Sequence, residues 1–142
     1  MKILLSRLPL ALAFAGGLLL AVAPDLLAGT VTGGEAKITP VMSEALPNLP
    51  GNRLTAVLVE YGPGGKSAAH HHAGSVMAYV IEGAIRSQVS GGEARVYRAG
   101  ESFFEPPGSR HLVSENASQT EPAKLIAIIV APEGAKLTVF DK

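Results

Sequence analysis

The chain has 142 residues, twelve basic and twelve acidic side chains, a formal net charge of zero, and neither cysteine nor tryptophan. With no Lys/Arg stripe and only three Tyr and four Phe, it lacks the charge for phosphate-backbone binding and the rings for base stacking, so nucleic acid is not an expected partner. Without cysteine, neither a disulfide nor a lipid-bearing thiol can be formed, and the fold has to rest on its apolar core.

Residues 1–28 read as a secretory signal peptide. Lys2 and Arg7 form a basic start, an apolar run from Leu8 to Ala23 follows, and small residues come after it. The best small-x-small triplet, Ala21-Val22-Ala23, is blocked by Pro24, which moves the expected cut to Ala28 or Gly29. The run is short against the roughly 20 residues of a spanning helix, so export without a lasting membrane anchor is expected. Removing this segment takes Lys2, Arg7 and Asp25 with it, leaving ten basic and eleven acidic side chains on a nearly neutral mature domain.

Residues 29–50 read as a linker and N-terminal arm, because Gly29 to Gly34 has no apolar periodicity and Pro40, Pro47 and Pro50 oppose a long helix. Residues 51–142 read as one β-domain. Short strands are expected at 53–61, 75–81, 84–89, 94–97, 102–105, 111–115, 124–130 and 136–140, separated by Gly/Pro turns such as Gly62-Pro63-Gly64-Gly65, Ser90-Gly91-Gly92 and Pro106-Pro107-Gly108. Many short strands at close spacing predict an all-β sandwich or barrel. Tyr79, Tyr97, Phe103 and Phe104 are expected in its core.

All four histidines lie in two short segments, His70-His71-His72 and, 39 residues on, His111. In an extended strand side chains alternate, so His70 and His72 share a face and His71 points away. Two imidazoles on one face, joined by a third from a distant strand, suit a divalent transition metal and leave coordination positions open for water or a small molecule. Alone, the His70–His72 tract reads equally as a solvated cluster.

The segment from Gly62 to Gly83 resembles the first motif of the cupin superfamily. Gly64, His70, His72 and Gly83 fall on its glycine, two histidines and glycine, while Gly100, Pro106, Gly108 and His111 fall on the second cupin motif. The resemblance implies a jelly-roll β-barrel in which His70, His72 and His111 hold one divalent metal (Zn, Mn, Fe, Ni or Cu), a small-molecule substrate or ligand, and a possible homodimer through outer strands. Two departures stand out. The family's metal-binding glutamate position holds Val76, or Met77 with the longer spacing, and the expected asparagine is displaced by one, to Asn116. Candidates to replace the missing carboxylate, as ligand or general base, are Glu105 before the Pro-Pro turn, then Glu82 at a hairpin, with Gln88 suggested by strand parity alone. The Asn116-Ala117-Ser118 sequon is expected to be accidental. Oxygenase, isomerase and lyase chemistry all fit such a site. So do a non-catalytic capture or sensory module and a barrel that has lost its metal.

Overall fold

The computed structural model describes residues 34–142; the expected signal peptide and its cleavage point lie outside them. Eleven strands form: β1 (Lys37–Ala45), β2 (Asn52–Tyr61), β3 (Lys66–Ser67), β4 (His70–His72), β5 (Ser75–Glu82), β6 (Ala84–Val89), β7 (Arg95–Arg98), β8 (Ser102–Glu105), β9 (Arg110–Asn116), β10 (Ala123–Pro132) and β11 (Thr138–Phe140). Among the described residues there is no helix, and so none long and apolar enough to cross a membrane. One sheet runs β1-β2-β10-β5-β8 and the other β11-β4-β9-β6-β7, with β3 also pairing β9. Every pairing is antiparallel. This is the all-β, two-sheet architecture expected of a jelly roll.

Each expected strand is present, with ends shifted by at most two residues. The arm holds a further strand, β1, which sequence patterning did not suggest. Pro40 cannot donate to a ladder, but β1 sits at a sheet edge, where a missing donor is tolerated, and its pairing with β2 is interrupted between Pro40 and Met42.

The core lies between the sheets and follows strand alternation. Along β10, Ala123, Leu125, Ala127, Ile129 and Ala131 are buried, while the residues between them face outward. Across the five-stranded sheet, Ala127 pairs with Val57 on one side and Ala78 on the other, and Ala78 pairs with Phe103. Two alanines side by side, where leucine or isoleucine would fill the interior, leave a cavity of about 260 Å³ between the sheets.

The expected aromatic core is half right. Phe103 is buried with Tyr97 packed on it at 4.9 Å between ring centroids. Phe104 and Tyr79, however, are 59% and 42% exposed. Strand parity decides this, since each follows a buried inward residue, Phe103 or Ala78, and must point to the opposite face.

Candidate metal centre

His70 and His111 are register partners across β4 and β9, so their side chains emerge on one face. His72 joins them from two residues along, and the ring centroids of His70 and His72 are 4.9 Å apart, those of His70 and His111 5.1 Å. One ligand nitrogen from each of the three residues lies within 4.8 Å of the others. The sequence supplies this convergence through turn chemistry. Pro107 and Gly108 occupy the central positions of a tight turn, Gly108 at φ 70°, and its amide donates to the His72 carbonyl at 3.0 Å. The loop before His111 is thereby tied to the strand that carries the other two imidazoles.

Backbone carbonyls orient two of the rings. His70 Nδ1 donates to the Ala68 carbonyl at 2.7 Å, and His72 Nδ1 to the Leu137 carbonyl at 3.0 Å, with Thr138 Oγ1 at 3.2 Å. A donating Nδ1 fixes the neutral tautomer and leaves Nε2 with its lone pair free, the arrangement that metal-binding histidines use. His111 is held from the other side, its Nε2 lying 2.9 Å from Ser87 Oγ. His71 faces outward, 3.9 Å from Asp141, which also accepts from Arg110 at 2.7 Å.

Glu105 completes the cluster. It is 3% exposed, and its Oε2 lies 3.2 Å from His111 Nδ1 and 3.9 Å from His72 Nε2. In register it stands opposite Val76. Cross-strand partners point to the same face, so the carboxylate absent from position 76 of β5 arises from the neighbouring strand β8 at the same level of the barrel. Glu105 Oε2 and His111 Nδ1 are both buried without a hydrogen-bond partner. Two such orphans beside inward-facing imidazole lone pairs are the donor set that a divalent cation satisfies, so these residues fit a metal.

The other two carboxylate substitutes do not reach the site. Glu82 is at the surface, paired with Lys124 at 3.0 Å. The Gln88 side chain donates to the Gly92 carbonyl at 3.1 Å on the exposed side; Ser87, one residue earlier, is the β6 side chain that touches His111. Alternation from the fully buried Ile85 would have selected Ser87. Asn116 is 2% exposed and donates to the Gly62 and Glu121 carbonyls at 2.9 and 2.7 Å. Its role is to fasten two loops, and its amide is inaccessible as a glycan acceptor.

The cavity opens onto this cluster. Opposite the imidazoles stands an aliphatic wall of Val57, Leu125, Ala127 and Ile129, while Phe103, Leu137 and Phe140 bound it elsewhere. At its polar margin the Tyr61 hydroxyl is within 2.9 Å of Ser67 Oγ and 2.8 Å of Ser114 Oγ. Burial pushes the Tyr61 hydroxyl above its usual titration range, so it is protonated at neutral pH. Burial also lowers the His70 pKa, with the neighbouring His111 and His72 acting in the same direction.

That shift has a definite sign in stability. A histidine whose folded pKa lies below its usual value near 6.5 is held neutral in the fold but takes up a proton when unfolded. Its contribution is therefore present above that value and is lost as the pH falls towards and through the folded pKa. The metal-free chain is expected to melt at progressively lower temperature as the pH falls from about 7 through and below about 6.5, and His70→Asn to flatten that slope. An equal slope in the variant would show that His70 is not responsible.

Comparisons with known proteins agree with this fold. The sequence profile of the cupin domain matches residues 57–129, just over half of the chain. The fold is similar to that of the DMSP lyase DddQ from Ruegeria pomeroyi DSS-3, at TM-score 0.60 and 17% identity, covering 74% of this chain and 51% of that one. It is also similar to an uncharacterized conserved protein with a double-stranded β-helix domain from Klebsiella pneumoniae subsp. pneumoniae MGH 78578, at TM-score 0.60 and 23% identity, covering 76% and 85%. An oxalate oxidase in complex with the substrate analogue glycolate superposes at TM-score 0.56 and 24% identity, covering 74% and 54%. The chain thus spans about half the length of the lyase and of the oxidase. No curated protein matches it. By the profile match, the barrel and the paired histidine motifs, the chain belongs to the cupin domain family.

Proposed function

We propose that this chain is an exported metalloprotein in which His70, His72 and His111 hold one divalent transition metal and Glu105 serves as the acid–base group in chemistry on a small molecule. The observation that carries the reading is the meeting of three imidazoles with a buried carboxylate that has no hydrogen-bond partner. A bound metal would supply Lewis acidity and an open coordination position. The protein's own contribution is to orient the imidazoles through Ala68 and Leu137, to keep water out with the aliphatic wall, and to take up or return a proton at Glu105 Oε2. Lyase and oxidase activities on neighbouring folds support small-molecule chemistry by analogy alone. A second reading, a capture module without turnover, draws on the aliphatic character of the rest of the lining.

The test is metal analysis of the untagged mature chain followed by turnover assays on a small-molecule panel. About one metal per chain is expected. A metal-free chain whose behaviour is unchanged by His72→Ala would exclude the reading, and metal with no turnover would favour capture.

The outer face of the five-stranded sheet supports a homodimer. Met42, Ile128, Met77 and Phe104 lie in one register row of the outer face, with the buried Ala56 between Met42 and Ile128, and exposed Tyr79 and Ile81 flank it. Monomers rarely leave an apolar patch of that continuity in water, and a two-fold partner would present the same row. Light scattering is expected to report a dimer, and Met77→Lys with Phe104→Lys a monomer that retains the fold. A wild-type monomer at all concentrations would exclude the dimer.

A further inference from the structure

We infer that the pocket selects a small monoanionic oxygen donor carried on a hydrocarbon body and discriminates against a dicarboxylate. This rests on the metal reading above and names its ligand class.

Charge supplies the first argument. With Nδ1–H given to a carbonyl, His70 and His72 would each offer a metal the uncharged Nε2 lone pair, so a divalent ion held by imidazole nitrogens beside the Glu105 carboxylate would leave one net positive charge. A monoanion cancels it. A second carboxylate would be a buried charge without a partner, because among the described residues no Lys or Arg lines the cavity. The remaining polar side chains are hydroxyls that are already engaged: Tyr61 with Ser67 and Ser114, and Thr138 with His72.

Shape supplies the second. The histidines project from β4 and β9 of one sheet, and the facing five-stranded sheet is aliphatic apart from Glu105 on its edge strand β8, opened by the adjacent Ala127 and Ala78. An apolar cavity of roughly 150 Å³ accepts benzene. The cavity of about 260 Å³ here therefore suits a ligand of roughly ten non-hydrogen atoms by the same proportion. Its oxygen head would be directed at the histidine wall and its hydrocarbon body at the row of Val57, Ala127 and Ala78.

The experiment uses the full mature chain without a tag, loaded with zinc and assayed for zinc before and after calorimetric titration with benzohydroxamate, acetohydroxamate or oxalate. Each affinity is referred to that chelator's affinity for free zinc. Benzohydroxamate is expected to bind about tenfold or more tighter than acetohydroxamate on this scale, through burial of the phenyl ring, and oxalate to bind weakest. Ala127→Phe should remove the advantage of the phenyl body while zinc is retained. If that variant does not fold, Ala127→Val should reduce the advantage in the same direction. Zinc retained with oxalate preferred, or with affinity indifferent to the body of the ligand, overturns this inference alone. A chain that holds no zinc overturns the metal reading and this inference together.

Discussion

His111→Ala is expected to abolish stoichiometric metal binding while leaving the barrel folded. His111 is one of only three imidazoles in the cluster and arrives from a different segment than the other two, so its loss leaves two adjacent histidines, the solvated-tract arrangement. Deleting a group that merely supports a metal ligand costs about 10- to 100-fold in affinity, and removing an imidazole ligand should exceed the upper figure. The readout is twofold. Metal per chain after dialysis should fall from about one to near zero, and the stabilisation by excess metal, about 2.7 kcal/mol at a hundred times the dissociation constant, should disappear from the melting curve. The variant also leaves Ser87 and Glu105 without their imidazole neighbour, for which a loss of about 1–3 kcal/mol is expected in the metal-free state. His71→Ala is the control: its ring faces outward, towards Asp141, and metal content should not change. Wild-type metal content in the His111 variant would remove the centre as described.

Glu105→Gln tests the group that distinguishes this barrel from its family pattern. The substitution keeps volume and one acceptor but removes the charge beside His72 and His111. Two unit charges about 4 Å apart interact by about 4 kcal/mol at an effective dielectric of about 20, and exchange with solvation returns much of that. A loss of about tenfold or more in affinity for a divalent cation is therefore the conservative expectation, together with loss of any proton-transfer rate that Glu105 supports, commonly 10²- to 10⁴-fold. Glu105→Asp keeps the charge on a shorter stem and should recover metal affinity more fully than rate. Unchanged affinity and unchanged turnover in the glutamine variant would return Glu105 to the role of an ordinary buried residue.

Strand alternation and turn residues made most of the barrel legible in the sequence, since these depend on neighbours one to three positions apart. The histidines were legible for the same reason: parity separates His71 from His70 and His72. What escaped depends on register between distant strands. Val76 and Glu105 are 29 positions apart in the chain, and only their pairing across β5 and β8 shows that one occupies the level the other vacated. Parity counted from Ile85 selects Ser87 and not Gln88, and alternation turns Phe104 and Tyr79 outward although their hydrophobicity favours the core. β1 has no clear sequence signal, because Pro40 forbids a central strand and says little about an edge. The carbonyl of Leu137 carries no side-chain signature at all, yet it sets the tautomer of His72.

That last contact has a consequence for biogenesis. The strand that carries Thr138 and Phe140 lies against the one bearing His70 and His72, so the ring of residue 72 gains its carbonyl anchor only after some 65 further residues have been synthesised. Pairing across such separations is slow and comes late in β-rich folding. An ion met by the nascent histidine tract alone would find two loosely oriented nitrogens and exchange freely, so any lasting choice of ion would fall to the closed barrel.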